Sequence, residues 1–250
     1  MIHAHILAFN EERIMPFTMR HYKSFCSRVT VHDFGSSDST KAVALAYGAE
    51  IQQWDCGGKF DDLLNKKVKN ECWVGSDADW VICVDTDEFL YWPEGVEKSF
   101  AAYSVQGLPI IKPSGYEMLS DVYPTCSGQI YDEVKMGGRD DFWYGKSVCF
   151  SPKLVAEVDF GAGAHVVTVK LKDGKTLNVN HDWPLSLPVC QLLHFHQIMP
   201  IEEIAAKYEA TKARMSENNI KNNWGWHGVG LVHATDKRNS ILAHLEQVIK

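Results

Sequence analysis

No apolar run in the 250-residue sequence approaches the roughly 18–20 residues that span a bilayer, so a transmembrane helix is not expected. The first twelve residues lack a basic stretch, a long apolar core and a small-residue cleavage site. They read as the first strand of a fold and not as a signal peptide. Cysteine is sparse and scattered. Its seven occurrences (Cys26, Cys56, Cys72, Cys83, Cys126, Cys149 and Cys190) are an odd number and include no C-x-x-C pair. That spacing argues against a disulfide framework or a zinc site and fits a reducing cytoplasm. Positive charge is thin too: 25 Lys and Arg form no dense run, and the net charge is −7. Nucleic acid and an anionic membrane surface are therefore not the expected partners. A small anionic substrate stays open, because a bound divalent cation can invert the local field. Internal repeats, linkers and low-complexity tracts are absent as well.

What is present is enough apolar sequence, 45% of the chain, for one sizeable α/β core. The first ninety residues alternate between strand and helix patterns. Strands are expected at Ile2–Phe9, Arg28–Asp33, Glu50–Trp54 and Trp80–Val84, with helices at 12–26, Thr40–Tyr47 and Asp61–Trp73 between them. Pro16 fits the first helix only within its opening turn. This alternation predicts a doubly wound sheet of parallel strands with its ligand site at their carboxyl ends. The polar clusters Asn10–Glu12, Asp33–Asp38 and Asp85–Glu88 all fall at those ends, so the topology makes them converge.

The second half is different. Short β-like runs (Leu108–Ile111, Ser147–Phe150, Val166–Leu171 and Thr176–Val179) alternate with Gly- and Pro-containing turns, and Lys172–Lys175 reads as a hairpin turn. Helices are expected at about 201–217 and 236–249. The chain thus reads as a single domain with a nucleotide-type half (1–92), a β-rich half (93–200) and C-terminal helices with a Gly- and Asn-rich loop (201–250).

The chemistry concentrates where the fourth strand ends. Asp85-Thr86-Asp87-Glu88-Phe89 places two carboxylates, one residue apart, at the mouth of a buried strand. Such a pair suits a hard divalent cation, which takes oxygen ligands and needs carboxylates to offset its charge. The second signal is Asp33-Phe34-Gly35-Ser36-Ser37-Asp38-Ser39-Thr40, a strand end running into a capped helix.

Over residues 1–92 these motifs resemble the family 2 glycosyltransferases and their relatives, in which a strand ends in D-x-G-S-x-D-x-T. The resemblance implies a GT-A fold: α/β, doubly wound, with a mixed sheet, a β-rich acceptor half and C-terminal helices. It implies transfer of a sugar from a nucleotide-diphosphate sugar to a hydroxyl of a glycan or lipid-linked glycan, with inversion. The donor site implied comprises Phe9, Asn10, Glu12, Asp33, Ser36, Lys69, Asn70, Asp85, Thr86 and Asp87, with Asp33 reading the base and Asp38 bracing the turn. Asp85 and Asp87 would hold Mn2+ or Mg2+, which weakens the basicity of the leaving diphosphate. Peripheral docking to the inner face of a membrane is compatible with a lipid-linked acceptor.

Beyond residue 92 the resemblance thins, and the family's E-D base pair and Q-x-x-R-W motif are absent. The Gly161-Ala162-Gly163-Ala164-His165 ending is similar to that of polypeptide N-acetylgalactosaminyltransferases, which makes His165 the expected third metal ligand and His194 its rival. An inverting base is expected at Asp141 or its neighbour Asp140, with Asp121, Asp132 and Glu133 as alternatives. Trp143, Trp224 and Trp226 are candidate acceptor or lid residues. Two other readings compete: a binding module that has lost activity, and a haloacid-type phosphatase. The second would put its D-x-D on the first strand instead of the fourth.

Overall fold

The computed structural model describes residues 1–224 and 230–249. Its first sheet begins as the strand–helix alternation requires: β1 (Ile2–Ala8), α1 (Met15–Lys23), β2 (Arg28–Asp33), α2 (Thr40–Ala46), β3 (Glu50–Gln53), α3 (Asp62–Glu71) and β4 (Trp80–Asp85). β1 and β4 are almost wholly buried on both faces, which is why neither shows polar alternation. The four strands are parallel in the order β3-β2-β1-β4. Pro16 sits in the first turn of α1. That helix starts three residues later than expected, because Glu11–Ile14 forms a separate turn closed by Met15 N–H donating to Glu11 O. At α3, Asp61 caps the N-terminus by accepting from the Leu63 N–H at 2.9 Å.

β5 (Glu88–Tyr91) and α4 (Val96–Gln106) lead out of this half, followed by β6 (Ile110–Ile111), β7 (Ser114–Leu119), α5 (Ile130–Glu133), β8 (Met136–Arg139) and β9 (Cys149–Phe150). β9 and β6 extend the first sheet antiparallel beyond β4. β10 (Val155–Phe160), β11 (Val167–Leu171) and β12 (Thr176–Val179) form an antiparallel meander, its last turn at the expected hairpin. β13 (Gln191–Gln197) lies between β7 and β5 in another sheet, ordered β14-β8-β7-β13-β5. α6 (Ile201–Ala213), α7 (Glu217–Asn222), α8 (Gly230–Leu242) and β14 (Leu245–Gln247) complete the chain. The architecture is mixed α/β, with parallel and antiparallel sheets and helices. Among the described residues, no helix is long and apolar enough to cross a membrane.

Two elements depart from expectation. The helix expected at 201–217 breaks after Ala213, because the next backbone pairs with the loop before α3. Phe60 N–H donates to Arg214 O, Ser216 N–H donates to Phe60 O, and the Ser216 side chain then caps α7. The terminal helix begins earlier than 236 and ends at Leu242, and Leu245–Gln247 becomes a strand on the open edge of β8. Edge backbone needs hydrogen-bond partners, and a three-residue strand supplies them where propensity alone favours helix.

Packing follows the layers. One core lies between the first sheet and α1, α2 and α4. A second joins the other side of β4 to the β10–β12 meander. A third fills the space around β5, β7 and β13. α1 bridges the first and third: Met15, Met19 and Tyr22 enter one, and Phe17 the other.

Candidate active site

A cleft of about 1540 Å³ opens at the carboxyl ends of β1 and β4. Its floor is Phe9, Asn10 and Glu11 from one strand end, and Asp85, Thr86 and Asp87 from the other. Lys69 reaches in from α3, while the loop after β8, the loop before β11 and helices α6 and α8 form the walls. Asn10 takes a left-handed backbone conformation (φ 52°), held because its own N–H donates to Ser36 Oγ and its Oδ1 accepts from the Ser37 N–H. Backbone strain of this kind persists only where the surroundings over-determine it.

The Asp85–Glu88 turn is tightly specified. Thr86 Oγ1 donates to Leu7 O at 2.7 Å, Thr86 O accepts from Thr18 Oγ1 at 2.7 Å, and Asp87 O accepts from the Phe195 N–H at 2.8 Å. Glu88 turns inward with 0% exposure, accepting from the Asp85 N–H and from Lys146 Nζ at 2.7 Å. Burial pushes its pKa up, but Lys146, Lys69 and His194 outweigh that and hold it at about 2. Glu88 is thus an internal anion that draws two lysines under the carboxylate pair. Asp85 is ion-paired with Lys69 at 2.8 Å and is 39% exposed. Asp87, at 15%, lies with its Oδ2 3.7 Å from His194 Nε2.

His194 comes from β13 and is oriented from behind. Its Nδ1 lies 3.0 Å from Glu117 Oε2, on the neighbouring strand β7, and the Tyr144 ring stacks on it at 5.3 Å. Glu117 is fully buried, accepts the His196 N–H and lies 3.5 Å from Lys237. Burial disfavours the imidazolium, yet Glu117 and Asp87 prevail and raise the pKa of His194 above its ordinary value. The carboxylate behind Nδ1 aims Nε2 at Asp87, an arrangement that orients a metal-binding imidazole.

His165 also lines the cleft, but its Nδ1 lies 2.9 Å from Trp143 O, and a Cβ at Gly163 would stand 2.8 Å from its Nε2. Burial, with Lys146 assisting, lowers its pKa to about 4, so the ring is neutral at pH 7. Among the described residues, the histidine ion-paired with a carboxylate of the motif is His194.

The acidic pair after β8 divides. Asp140 lines the cleft, its Oδ1 accepting the N–H groups of Phe142 and Trp143 at 3.0 and 3.1 Å. Asp141, the preferred base on sequence grounds, lies outside the cleft lining. It accepts the Gly115 N–H and pairs with Arg139 at 2.8 Å, the bonding of a loop brace. Asp121 is bound to Arg238, Asp132 to the Gln129 N–H and Glu133 to the Thr125 N–H, all outside the cleft lining.

The donor residues implied by resemblance divide likewise. Phe9, Asn10, Lys69, Asp85, Thr86 and Asp87 line the cleft. Asp33 is fully buried behind it, with its carboxylate accepting the N–H groups of Gly35 and Ser36. Glu12 accepts the Ser39 N–H, and Asn70 bridges Asp159 and the Phe160 N–H. These residues, with Ser36 under Asn10, build the loops that carry the lining residues. Asp38 accepts from the N–H groups of Glu12 and Thr40, as a turn brace does. Trp143 and Trp224 line the cleft, whereas Trp226 lies outside the described residues.

Sequence reasoning missed Glu117, Lys207 and Lys237. Lys207 of α6 is 2.8 Å from Glu11 in the cleft, and Lys237 of α8 approaches Glu117, so α6 is tied to a cleft carboxylate and α8 to the buried carboxylate behind His194. Glu117 had a signal, an acid within the apolar run Tyr116–Leu119. The two lysines had none, because only tertiary folding brings the helices over the cleft.

No protein-family model matches the chain, and no curated protein matches it. Among solved structures it is similar to glucosyl-3-phosphoglycerate synthase from Mycobacterium tuberculosis in complex with Mn2+, UDP and glucosyl-3-phosphoglycerate. The identity there is 18%, over 49% of this chain and 44% of that one, with a TM-score of 0.31. It is also similar to residues 1–349 of TarS from S. aureus, at 11% identity over 83% of this chain and 65% of that one, with a TM-score of 0.40. The chain therefore spans about half the length of the synthase and just under two thirds of the TarS fragment.

Proposed function

We propose that this chain is a GT-A glycosyltransferase that binds a nucleotide-diphosphate sugar with Mn2+ or Mg2+ and transfers the sugar to a hydroxyl acceptor with inversion. The observation that carries this reading is the rigid Asp85–Asp87 turn, facing His194 Nε2 across the cleft floor. Two carboxylates and one imidazole braced by a carboxylate are the donor types that a manganese-like cation takes. Asp85, Asp87 and His194 would hold it, with His194 taking the place expected of His165. Such a cation, when bound, neutralises charge on the departing diphosphate.

The remaining work falls to side chains. Lys69 and Lys146 supply fixed positive charge beneath the phosphates, Lys69 held by Asp85 and Lys146 by the buried Glu88. Asp140 is the base: its Oδ1 is taken by two backbone N–H groups, which leaves Oδ2 to receive the acceptor's hydroxyl proton. Trp143, Tyr144 and Trp224 give aromatic faces for sugar rings, and α6 and α8 keep water from the reacting centre.

The test is a thermal-shift panel of nucleoside diphosphates and sugar nucleotides, with and without Mn2+. A donor at 100-fold excess over its Kd should stabilise the wild type by about 2.7 kcal/mol. Asp87→Ala should abolish the metal-dependent part of that shift and keep the unliganded melting temperature. A wild-type metal response in Asp87→Ala would refute the assignment.

A further inference from the structure

Behind the cleft, on the face of the first sheet covered by α3, lies a group of side chains that the proposed reaction does not use. His5 precedes Leu7 by two residues on β1, and Cys83 precedes Asp85 by two residues on β4; the two are direct partners across the strands. His32 lies on β2, and Cys72 ends α3. His5 Nδ1 and His32 Nε2 are 3.1 Å apart, and the Cys72 and Cys83 sulfurs are 3.6 Å apart. One ligand atom each from His5, His32 and Cys72 fall within 4.8 Å of one another. His32 and Cys83 are wholly buried, and His5 is 7% exposed.

The His5, His32 and Cys72 atoms suit tetrahedral coordination, and Cys83, outside that group at 3.6 Å from Cys72, completes it only by turning in toward the imidazoles. With bonds of about 2.0–2.1 Å to nitrogen and about 2.3 Å to sulfur, neighbouring ligand atoms around zinc stand roughly 3.3–3.8 Å apart. Two imidazoles and two thiolates favour a borderline-soft cation over the hard ion suited to the cleft. The competing explanation is a neutral hydrogen-bonded chain. Trp54 Nε1–H donates to His32 Nδ1 at 3.0 Å, which puts the ring proton on Nε2, facing His5 Nδ1. That chain leaves His5 Nε2 a buried nitrogen with no hydrogen-bond partner, while Cys72 interacts with both imidazoles as well as with Cys83.

We infer that His5, His32, Cys72 and Cys83 form a closed binding site for a zinc-class divalent cation, separate from the catalytic cleft. On binding, the His32 proton passes from Nε2 to Nδ1, the two thiol protons leave to solvent, and the Trp54 N–H gives up its acceptor. Trp54 is only partly buried at the end of β3, so its indole has room to turn. A cation there would pin β1, β2, α3 and β4 together beneath the cleft. Metal sites of this kind add directly to folding free energy.

The experiment uses the full chain, stripped with chelator and titrated with Co2+ and then Zn2+. One equivalent of Co2+ should produce thiolate-to-cobalt charge-transfer absorption and intense tetrahedral visible bands, which Zn2+ then bleaches. The Asp85→Ala/Asp87→Ala double variant should behave the same, which separates this site from the proposed donor site. Cys72→Ser should lose the charge-transfer band. Trp54→Phe, which removes the competing donor, should bind Zn2+ more tightly and needs no ligand removed. Weak octahedral cobalt bands in the wild type would overturn the proposal, as would a spectrum indifferent to Cys72→Ser or a Zn2+ affinity unchanged in Trp54→Phe.

Discussion

Adjacent carboxylates can have unrelated work, and Asp140 and Asp141 differ by what their oxygens already hold. Asp141 is committed on both oxygens, to the Gly115 N–H and to Arg139, whereas Asp140 lines the cleft and holds its two backbone N–H groups on Oδ1. Asp140→Asn should therefore lower transfer about 10²–10⁴-fold with donor affinity retained, as removal of a general base does. Asp141→Asn should lose the Arg139 pair and lower melting temperature more than chemistry. Turnover measured with the true acceptor, beside donor titration, distinguishes them. Near-normal turnover in Asp140→Asn would place the base elsewhere. Little of this difference was legible beforehand, because two neighbouring aspartates look identical until the chain decides which faces a backbone N–H.

At the level of elements, the site depends on how closely the loop after β8 lies against β7. Gly115 N–H donates to Asp141 Oδ1, and Gly115 O accepts from the Asp140 N–H. A Cβ at Gly115 would stand 2.2 Å from Gly145 N and from the carbonyl carbon of Tyr144, both backbone atoms that cannot swing away. Gly115→Ala should push this loop off β7 and displace Asp140, Trp143 and Tyr144 together. The expected outcome is a large loss of transfer and a destabilisation of about 1–3 kcal/mol, the usual cost of overpacking, read by kinetics and urea titration. Unaltered turnover would mean that the loop does not position the base. The strands and helices of residues 1–92 were readable because their apolar periods are strong and local. β14 and the break between α6 and α7 were not, because backbone partners distant in sequence decide them.

For the whole molecule, α1 is the joint between the first sheet and β5. His21 Nε2 lies 2.9 Å from Leu90 O, and Tyr22 OH donates to Glu88 O at 2.7 Å, so one helix holds the strand that carries the chain out of the first sheet. Burial lowers the His21 pKa from 6.5 to about 4, with the Leu90 hydrogen bond opposing. The folded state thus binds this proton more weakly than the unfolded state does. The His21 contribution is complete above about pH 6.5, declines as pH falls toward 4 and reaches about 3 kcal/mol in total. Between pH 7.5 and pH 5 the wild type should lose about 2 kcal/mol through this group alone. His21→Gln, which keeps a donor for Leu90 O, should lose that much less over the same interval. Equal losses in the two proteins, measured by urea unfolding at both pH values, would show that His21 is not the sensor.

The sequence by itself determined the alternating α/β half, the convergence of Asn10–Glu11 and Asp85–Asp87 at strand ends, and the pairing of two carboxylates at the mouth of β4. Those features follow from apolar period, capping residues and the rule that parallel strands expose their carboxyl ends together. Tertiary structure alone decided that His194 and not His165 meets Asp87, and that Asp33 faces its own turn. It alone brought Lys207 and Lys237 over the cleft, and gathered His5, His32, Cys72 and Cys83 from four elements. The physical reason is common to all of them. Which partner a polar side chain meets depends on long-range strand order and helix docking, and neither leaves a periodic trace in the sequence around that side chain.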